Sequence, residues 1–213
     1  MTDTSTSTSH LRRQPSQDRS TQRFELILDT MAALVDEVGY GAITISLIAK
    51  RSAMSGPAVY RYFDDLQSIS RALATRNLTR FLEKANANIA EGSGEWPDTL
   101  LEALDSLVEM YRTEPGFRGI RLGDGIDRNL IDPTETNRSV IARMLADRFV
   151  ERYGDPQHEN FLNHVYTVVE IADSLIGRAF ETDPHGDQFF IDECRRIVVS
   201  YLDEYVARSS SVA

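Results

Sequence analysis

The sequence has little of what disulfide-stabilised, metal-binding or membrane proteins need. Cys194 is the single cysteine among 213 residues, which excludes an internal disulfide and a multi-cysteine metal site. No apolar run approaches the roughly 18 to 20 residues of a membrane span, and the first ten residues lack the basic and apolar blocks of a secretory signal. We therefore expect a cytoplasmic protein without a membrane segment, in which Cys194 serves as a small hydrophobic side chain.

Signatures of common enzyme classes are also missing. We find no glycine-rich phosphate loop, no nucleophile-elbow sequence and no cluster of carboxylates and histidines at useful spacing. His158 and His164 are six residues apart on one predicted helix, so we expect their side chains on different faces. The sequence therefore predicts no catalysis, no metal site and no cofactor.

Positive charge is scarce overall, and its distribution is uneven. The formal net charge is −10, but residues 1–90 carry 11 Lys and Arg against 9 Asp and Glu, whereas residues 91–213 carry 12 against 24. Any electrostatic attraction to phosphate must lie in the first part, because the acidic second part would be repelled by nucleic acid. The asymmetry predicts two parts with different roles.

Helical periodicity dominates the chain, and no strand-like alternation is present. The pattern predicts an all-α protein of about nine helices. Residues 1–16 are rich in Ser and Thr and are expected to form a disordered arm, and residues 209–213 a short tail. Between them we predict a small helical domain at residues 17–66 and a larger one at residues 67–208.

The segment 44–63 contains two short predicted helices joined by a three-residue turn, as a helix-turn-helix requires. Thr44 and Ser55 each precede a helix and can cap it, Ser55 through the N–H of Ala58. Pro57 falls in the first turn of the second helix, where its missing N–H is tolerated.

Apolar spacing predicts which face of this motif is buried. Ile48 and Ala49 on the first helix should pack against Val59 and Phe63 on the second, with Met54 beneath the turn. The outward face would then consist of Gly56, Pro57, Tyr60 and Arg61.

Together these residues resemble the N-terminal motif of the tetracycline-repressor (TetR) family of bacterial regulators. That motif runs T-x-x-x-I-A, a turn, and then S-x-x-x-x-Y-x-Y/H-F. The resemblance covers about fifty residues, from Arg19 to Ile69. The matching residues are Thr44, Ile48, Ala49, Ser55, Tyr60, Tyr62 and Phe63. Over the remainder only the number, length and order of the helices agree.

The resemblance implies a ligand-responsive repressor that binds an inverted-repeat operator in double-stranded DNA as a homodimer. Activation is the alternative to repression, since the position of the operator decides between them. It places the helix from Ser55 to Tyr62 in the major groove. The residues implied near base edges are Gly56, Pro57, Ala58 and Arg61, and those implied at phosphates are Thr44, Tyr60 and Tyr62. Arg61 alone has the bidentate fork that reads guanine. For Tyr62, packing against the helix that begins near Asp65 is an equal alternative. Lys50 is a further candidate DNA contact, and for Lys50 and Arg51 exposure to solvent without a DNA contact is an equal alternative.

Two departures from the family pattern affect this motif. Ala53 stands where the family usually has a turn glycine, so a left-handed backbone there would cost on the order of 1 kcal/mol. Leu66 and Gln67 replace the usual Lys-Glu pair after the second helix, which removes one expected phosphate contact.

The last two predicted helices are apolar on more than one stripe and must be covered on both sides. The family uses these helices as an intersubunit four-helix bundle. Gly177 and Ala179 would permit a close crossing of the two copies. The alternative is that both helices are simply central to one monomer core.

The resemblance also implies a pocket for a small-molecule effector among the middle helices. The candidates for its lining are Leu104, Tyr111, Phe117, Met144, Tyr166, Val169 and Asp173, and packing in the core is the alternative for each. Asp173 interrupts an apolar stripe, where a bare carboxylate would cost several kcal/mol. We expect it to pair with an arginine, such as Arg143, Arg148 or Arg178, rather than with a ligand.

A rival hypothesis is a helical carrier or interaction module whose helix-turn-helix serves only as a packing unit. Sequence-specific binding to an inverted repeat would distinguish the regulator from this module.

Overall fold

The computed structural model describes residues 14–91, 94–120, 136–156 and 158–206, with the backbone alone for residues 14–18. Within these ranges the chain forms eight α-helices and one short 3-10 helix, without a strand. The predicted all-α fold is confirmed, with eight α-helices in the described ranges where the sequence predicts about nine for the whole chain. Residues 1–13 of the expected arm and the tail at 209–213 lie outside the described residues, and residues 14–16 already belong to the first helix.

The helices follow one another with short connections. They are α1 (Gln14–Val38), α2 (Ile45–Arg51), α3 (Gly56–Tyr60), α4 (Leu66–Glu91), α5 (Trp96–Thr113), α6 (Asn137–Tyr153), α7 (Phe161–Ala179) and α8 (Gln188–Val206). The 3-10 helix at Tyr40–Ala42 connects α1 to α2.

Two hydrophobic cores divide the molecule. The first is formed by α1, α2, α3 and the beginning of α4, and the second by the rest of α4 with α5 to α8. The helix α4 contributes to both, since Ala74 lies in the first core and Leu78 in the second. Because α4 has 26 residues, it is about 39 Å long. It is one continuous helix that connects the two cores.

The turn after α5 is the second connection between the cores. Ile120 is buried in the first core, although the neighbouring Phe117 belongs to the second. Gly116 has φ +74°, and a Cβ on it would lie 2.8 Å from the Cα of Ala32. Only glycine fits this close approach of the turn to α1.

Cys194 lies inside the second core with no exposed surface. Burial raises the pKa of its thiol to about 12, so the thiolate is not formed near neutral pH. The prediction of a small buried hydrophobic side chain is confirmed. None of the helices in the described ranges is long and apolar enough to cross a membrane.

Candidate nucleic-acid interface and effector cavity

The two short helices of the motif begin at the predicted caps. The side chain of Thr44 accepts a hydrogen bond from the N–H of Leu47 at 3.1 Å, at the start of α2. The side chain of Ser55 accepts one from the N–H of Ala58 at 3.3 Å, at the start of α3. Both interactions satisfy backbone donors that the helix leaves open. Pro57 lies in the first turn of α3, as predicted.

The inner face of the motif is buried as the apolar spacing indicated. Ile48 and Val59 have no exposed surface, and Ala49 and Phe63 belong to the same core. The ring of Phe63 stacks on Phe24 of α1, with centroids 5.0 Å apart. These contacts fix the orientation of α3 relative to α1 and α2.

The turn between α2 and α3 has the left-handed backbone expected there. Ala53 has φ +53°, a region that L-residues with a Cβ adopt only at a cost of about 1 to 2 kcal/mol. The turn is held by the N–H of Met54, which donates to the carbonyl of Ala49 at 2.9 Å. Met54 is half-buried against the first core, as predicted.

The outer face of α3 is open to solvent. Tyr60 is 55% exposed, and Pro57 and Arg61 are exposed, whereas Gly56 and Ala58 are half-exposed. The helix is shorter than the predicted Ser55 to Tyr62, because it ends at Tyr60 and Arg61 is its C-cap. Arg61 therefore projects from the end of the helix instead of its middle.

The remaining candidate DNA contacts surround this face in different environments. Thr44 and Lys50 are exposed, whereas Arg51 forms an ion pair with Glu37. Tyr62 is half-buried and packs against the first core. For Tyr62 both sequence hypotheses remain compatible with this position, because the ring packs inward and is still partly accessible.

The start of α4 is fixed by a reciprocal cap. The N–H of Ser68 donates to Oδ1 of Asp65 at 2.6 Å, and the N–H of Asp65 donates to Oγ of Ser68 at 3.2 Å. The half-buried Leu66, next in the chain, packs against the first core. An apolar residue at position 66 therefore gains packing where a family-typical lysine would point to solvent.

An internal cavity lies in the second core. Its volume is about 40 Å³, and its walls come from α4, α5, α6, α7 and α8. The wall residues are mostly aliphatic, apart from Phe81 and the pair Arg138 and Asp173. A cavity of this size holds a few water molecules at most and is smaller than the roughly 150 Å³ that accommodate benzene.

The structure separates the seven candidate effector contacts into two groups. Leu104, Val169 and Asp173 line the cavity. Tyr111 and Phe117 do not line it: Tyr111 stacks on Phe180 with centroids 4.9 Å apart and meets Phe117 edge-on at 5.1 Å. Met144 and Tyr166 are half-buried at the edge of the core and are also absent from the cavity wall. The spacing of apolar residues could not distinguish cavity from solid core, because both require the same buried helix face.

Asp173 pairs with an arginine, but with a different one from those proposed. The guanidinium of Arg138 donates to Oδ2 of Asp173 at 2.6 Å. The proposed partners Arg148 and Arg178 instead contact Glu151 and Glu181 on their own helices or helix ends, and Arg143 is exposed on α6. Arg138 is 35 positions from Asp173 in the chain, so no local spacing could identify it.

The start of α6 positions Arg138. The side chain of Thr136 accepts a hydrogen bond from the N–H of Ser139 at 3.1 Å and caps the helix. This cap places Arg138 in the first turn of α6. A sequence signal was available, since a hydroxyl residue three positions before a serine is a cap pattern.

The expectation that His158 and His164 point to different faces is wrong. Their rings are 5.1 Å apart, because His158 precedes α7, which begins only at Phe161. Nδ1 of His164 shares a hydrogen bond with the hydroxyl of Tyr201 at 2.9 Å, and its ring stacks on Tyr205 at 3.5 Å. No group of three potential metal ligands is present in the described part of the chain.

The helices α7 and α8 pack closely against each other, yet they leave apolar surface outside. Leu162 is 45% exposed and Phe189 is 66% exposed. Ile171, Leu175 and Ile197 are half-exposed. Gly177 and Ala179 are buried within the protomer and are not part of this outer surface, and the close crossing of two copies at these residues stays a prediction.

These features define a helix-turn-helix protein with a separate helical domain that encloses a cavity. The model of bacterial regulatory proteins of the tetR family matches residues 27–73, and the model of the tetracyclin repressor-like C-terminal domain matches residues 94–206. The chain belongs to this family of transcriptional regulators, and the resemblance noted in its sequence is confirmed.

Individual relatives agree with this assignment. A TetR-family transcriptional regulator from Streptomyces coelicolor is 32% identical, and the match covers 86% of this chain and 99% of that one with a TM-score of 0.71. RolR in complex with resorcinol is 17% identical, with 91% and 96% covered and a TM-score of 0.58, and shows the fold alone. An uncharacterized HTH-type regulator of Bacillus subtilis, YobS, is 24% identical over 93 residues, which are 44% of this chain. The match spans about half the length of that curated relative, 48%.

Proposed function

We propose that this protein is a ligand-responsive transcriptional repressor that binds an inverted-repeat operator in double-stranded DNA as a homodimer. The observation that carries the proposal is the exposed outer face of α3, where Pro57, Tyr60 and Arg61 are presented by a helix whose other side is buried. A large aromatic side chain that is 55% exposed beside an arginine suits contact with a phosphate backbone and base edges.

Arg61 is the residue we assign to base recognition, because its guanidinium can donate two hydrogen bonds to O6 and N7 of guanine. Gly56, Pro57 and Ala58 have small side chains, and they let the start of α3 approach the groove closely. The side chains assigned to phosphates are Thr44, Lys50, Tyr60 and Tyr62. Ser55 is assigned to the interface through its role as cap. The first 90 residues carry the favourable charge balance for this contact.

A dimer supplies the specificity that one short helix lacks. Two copies of α3 must be about 34 Å apart to enter successive major grooves. We assign the dimer contact to the outer faces of α7 and α8. The half-exposed apolar side chains of Ile171, Leu175 and Ile197 lie there, and a second copy would bury them. The substitution Ile197→Glu should shift the protein to monomer in sedimentation at micromolar concentration, whereas Val150→Glu on α6, at a site 42% exposed, should leave the dimer intact.

We assign effector binding to the cavity of the second core. RolR, a structural relative, was solved in complex with resorcinol, and the C-terminal domain of the present protein contains a cavity. Entry of a molecule larger than water must widen the cavity, and α5 forms one of its walls through Leu100, Leu104 and Leu107. A displacement of α5 would be carried to α1 by the turn at residues 114–120, which is joined to both cores.

Release of DNA then needs only a modest difference in effector affinity between two conformations. A tenfold to hundredfold loss of operator affinity corresponds to about 1.4 to 2.7 kcal/mol. The site of action is the cytoplasm, where a bacterial chromosome is accessible.

The proposal is tested by a gel shift with the DNA upstream of the protein's own gene. We expect salt-sensitive binding to one inverted repeat. The substitution Arg61→Ala should weaken binding by about 1 to 3 kcal/mol per half-site and relax the preference for guanine. The control Arg196→Ala removes an equally charged side chain from α8, 63% exposed, and should leave affinity within about twofold. Purely nonspecific binding would favour the interaction module instead.

A further inference from the structure

The two carboxylate oxygens of Asp173 have different environments. Oδ2 accepts a hydrogen bond from Arg138 at 2.6 Å. Oδ1 is buried and has no hydrogen-bond partner in the structure. The residue as a whole is only 8% exposed. An unsatisfied buried acceptor destabilises the folded protein, and more so when it is charged, so a native protein keeps one only where something else satisfies it.

The surroundings of Asp173 indicate the chemistry of the missing hydrogen-bond donor to Oδ1. The carboxylate lines a cavity whose other walls are aliphatic or aromatic, except for Arg138. Leu100, Leu107, Ile141 and Leu145 on α5 and α6 contribute to these walls. A molecule that fills this space must be largely apolar, because polar groups facing such walls would lose their hydrogen bonds with water.

The charges beside the cavity favour a neutral partner. Arg138 lies between two carboxylates, since its Nε is 3.6 Å from Glu170 and its Nη2 is 2.6 Å from Asp173. An anionic ligand would therefore meet an arginine that is already paired. An ammonium group would be attracted by the remaining negative charge, but it would have to give up its hydration among apolar walls. A neutral hydroxyl donates one hydrogen bond at lower desolvation cost.

We propose that the cavity binds a compact, neutral and mostly apolar molecule whose hydroxyl group donates a hydrogen bond to Oδ1 of Asp173. The proposal rests on the assignment of this cavity as the effector site. Asp173 sets the chemical preference for a hydroxylated effector, and Arg138 holds its carboxylate in place. The apolar walls take the body of the molecule, and the cavity, of about 40 Å³, widens to admit it.

Three monosubstituted benzenes test the proposal on the native full-length protein. Phenol donates a hydrogen bond, anisole has the same oxygen without a proton, and toluene has no oxygen. We expect calorimetric titration to show phenol binding at least about tenfold more tightly than either of the others, since both leave Oδ1 unsatisfied. If anisole bound as tightly as phenol, the ligand oxygen would accept a hydrogen bond from Arg138. If toluene bound as tightly as phenol, Asp173 would make no contact with the ligand oxygen. Either result, or no binding of phenol, overturns the proposal.

Two variants locate the preference. Asp173→Asn should reduce the preference for phenol over anisole to less than about threefold, because the amide replaces the charged acceptor. The control Glu170→Gln removes the other carboxylate near Arg138, which is not part of the cavity wall, and should keep the preference. An unchanged preference in Asp173→Asn, or its loss in Glu170→Gln alone, contradicts the role of Asp173. A gel shift without phenol, anisole or toluene reports on DNA binding separately. If the protein binds its operator but shows no preference for phenol, it is a repressor whose effector has a different chemistry.

Discussion

The backbone N–H of Gly116 donates a hydrogen bond to Oδ2 of Asp36 at 2.9 Å. This bond joins the turn after α5 to the C-terminal half of α1, and an ion pair between Arg80 and Glu114 lies beside it. The helix α5 lines the cavity, whereas α1 supports α2 and α3. The bond between Asp36 and Gly116 thus belongs to one connection from the cavity to the DNA-binding face, beside the continuous helix α4.

Removal of the Asp36 carboxylate should weaken this connection. We expect Asp36→Ala to lower the free energy of unfolding by about 1 to 2 kcal/mol, because a backbone N–H loses a charged acceptor. Urea denaturation measures the change. The control Asp147→Ala removes an exposed carboxylate from α6 and should change stability by less than about 0.5 kcal/mol. Equal effects of the two substitutions would show that the bond contributes nothing.

A methyl group at position 116 should be tolerated poorly for two reasons. The left-handed φ of +74° strains any L-residue, and the added Cβ would meet the backbone of Ala32 at 2.8 Å. Gly154 has φ +84° and ψ 171° with nothing within 4 Å of a Cβ, so Gly154→Ala measures the backbone strain alone, about 1 to 3 kcal/mol. We expect Gly116→Ala to destabilise the protein by at least about 1 kcal/mol more. If urea denaturation showed similar losses of stability for Gly116→Ala and Gly154→Ala, the turn at position 116 would move away from α1 at no cost.

The strained turn of the helix-turn-helix offers a stabilising substitution. Ala53→Gly should relieve the left-handed strain, about 1 to 2 kcal/mol, and lose part of the gain to the more flexible unfolded chain. We expect a net stabilisation of up to about 1 kcal/mol in chemical denaturation. Ala87→Gly, at an exposed position inside α4, should instead destabilise by about 1 kcal/mol. If both substitutions destabilised the protein, the φ of Ala53 would not be strained in solution.

The salt dependence of operator binding tests the absence of a lysine after α3. We expect Leu66→Lys to steepen the slope of log affinity against log salt by about 0.9 per half-site, because it adds one phosphate contact. Ala90→Lys adds the same charge about 36 Å away along α4 and should leave the slope unchanged. Since Leu66 packs against the first core, a small loss of stability accompanies the substitution. An unchanged slope in Leu66→Lys would refute the assignment.

The cluster around His164 should make stability depend on pH. Burial lowers the pKa of His164 below its ordinary value of 6.5, and the neighbouring His158 lowers it further. The unfolded chain therefore binds the proton first, so this stabilising contribution is complete above about pH 6.5 and is lost as the pH falls. Tyr201 and Tyr205 also face His164.

The measurement compares unfolding free energies at about pH 7.5 and about pH 5. We expect His164→Gln to lose less stability between these values than the native protein, since glutamine takes up no proton. His185→Gln, at an exposed loop position, should behave like the native protein. A native-like pH dependence in His164→Gln would exclude His164 as its source.

Local patterns explain how much of the DNA-binding part was predictable. Thr44 and Ser55 cap helices that lie within a few residues of them, and the spacing of Ile48, Ala49, Val59 and Phe63 reports one packed face. The left-handed turn at Ala53 was suggested by the family resemblance, because Ala53 stands where the family usually has glycine. The resemblance also depended on Tyr60 and Tyr62, and the family models over residues 27–73 and 94–206 confirmed it.

The effector domain was less predictable because its decisive contacts join distant segments. Apolar periodicity identified α5 to α8, but it could not separate Leu104 and Val169, which line a cavity, from Tyr111 and Phe117, which pack solidly. The sequence identified Asp173 as unusual, because its carboxylate interrupts an apolar stripe. It did not identify Arg138 as the partner of Asp173.

The amino-acid sequence by itself thus determined the helices, their caps and the two faces of the recognition motif, since hydrogen bonds and apolar spacing within a few residues decide these. Tertiary structure alone decided which arginine neutralises Asp173, which side chains leave a cavity and how the turn at Gly116 reaches Asp36. The physical reason is that these contacts depend on the packing angles of whole helices, which residues far apart in the chain determine together.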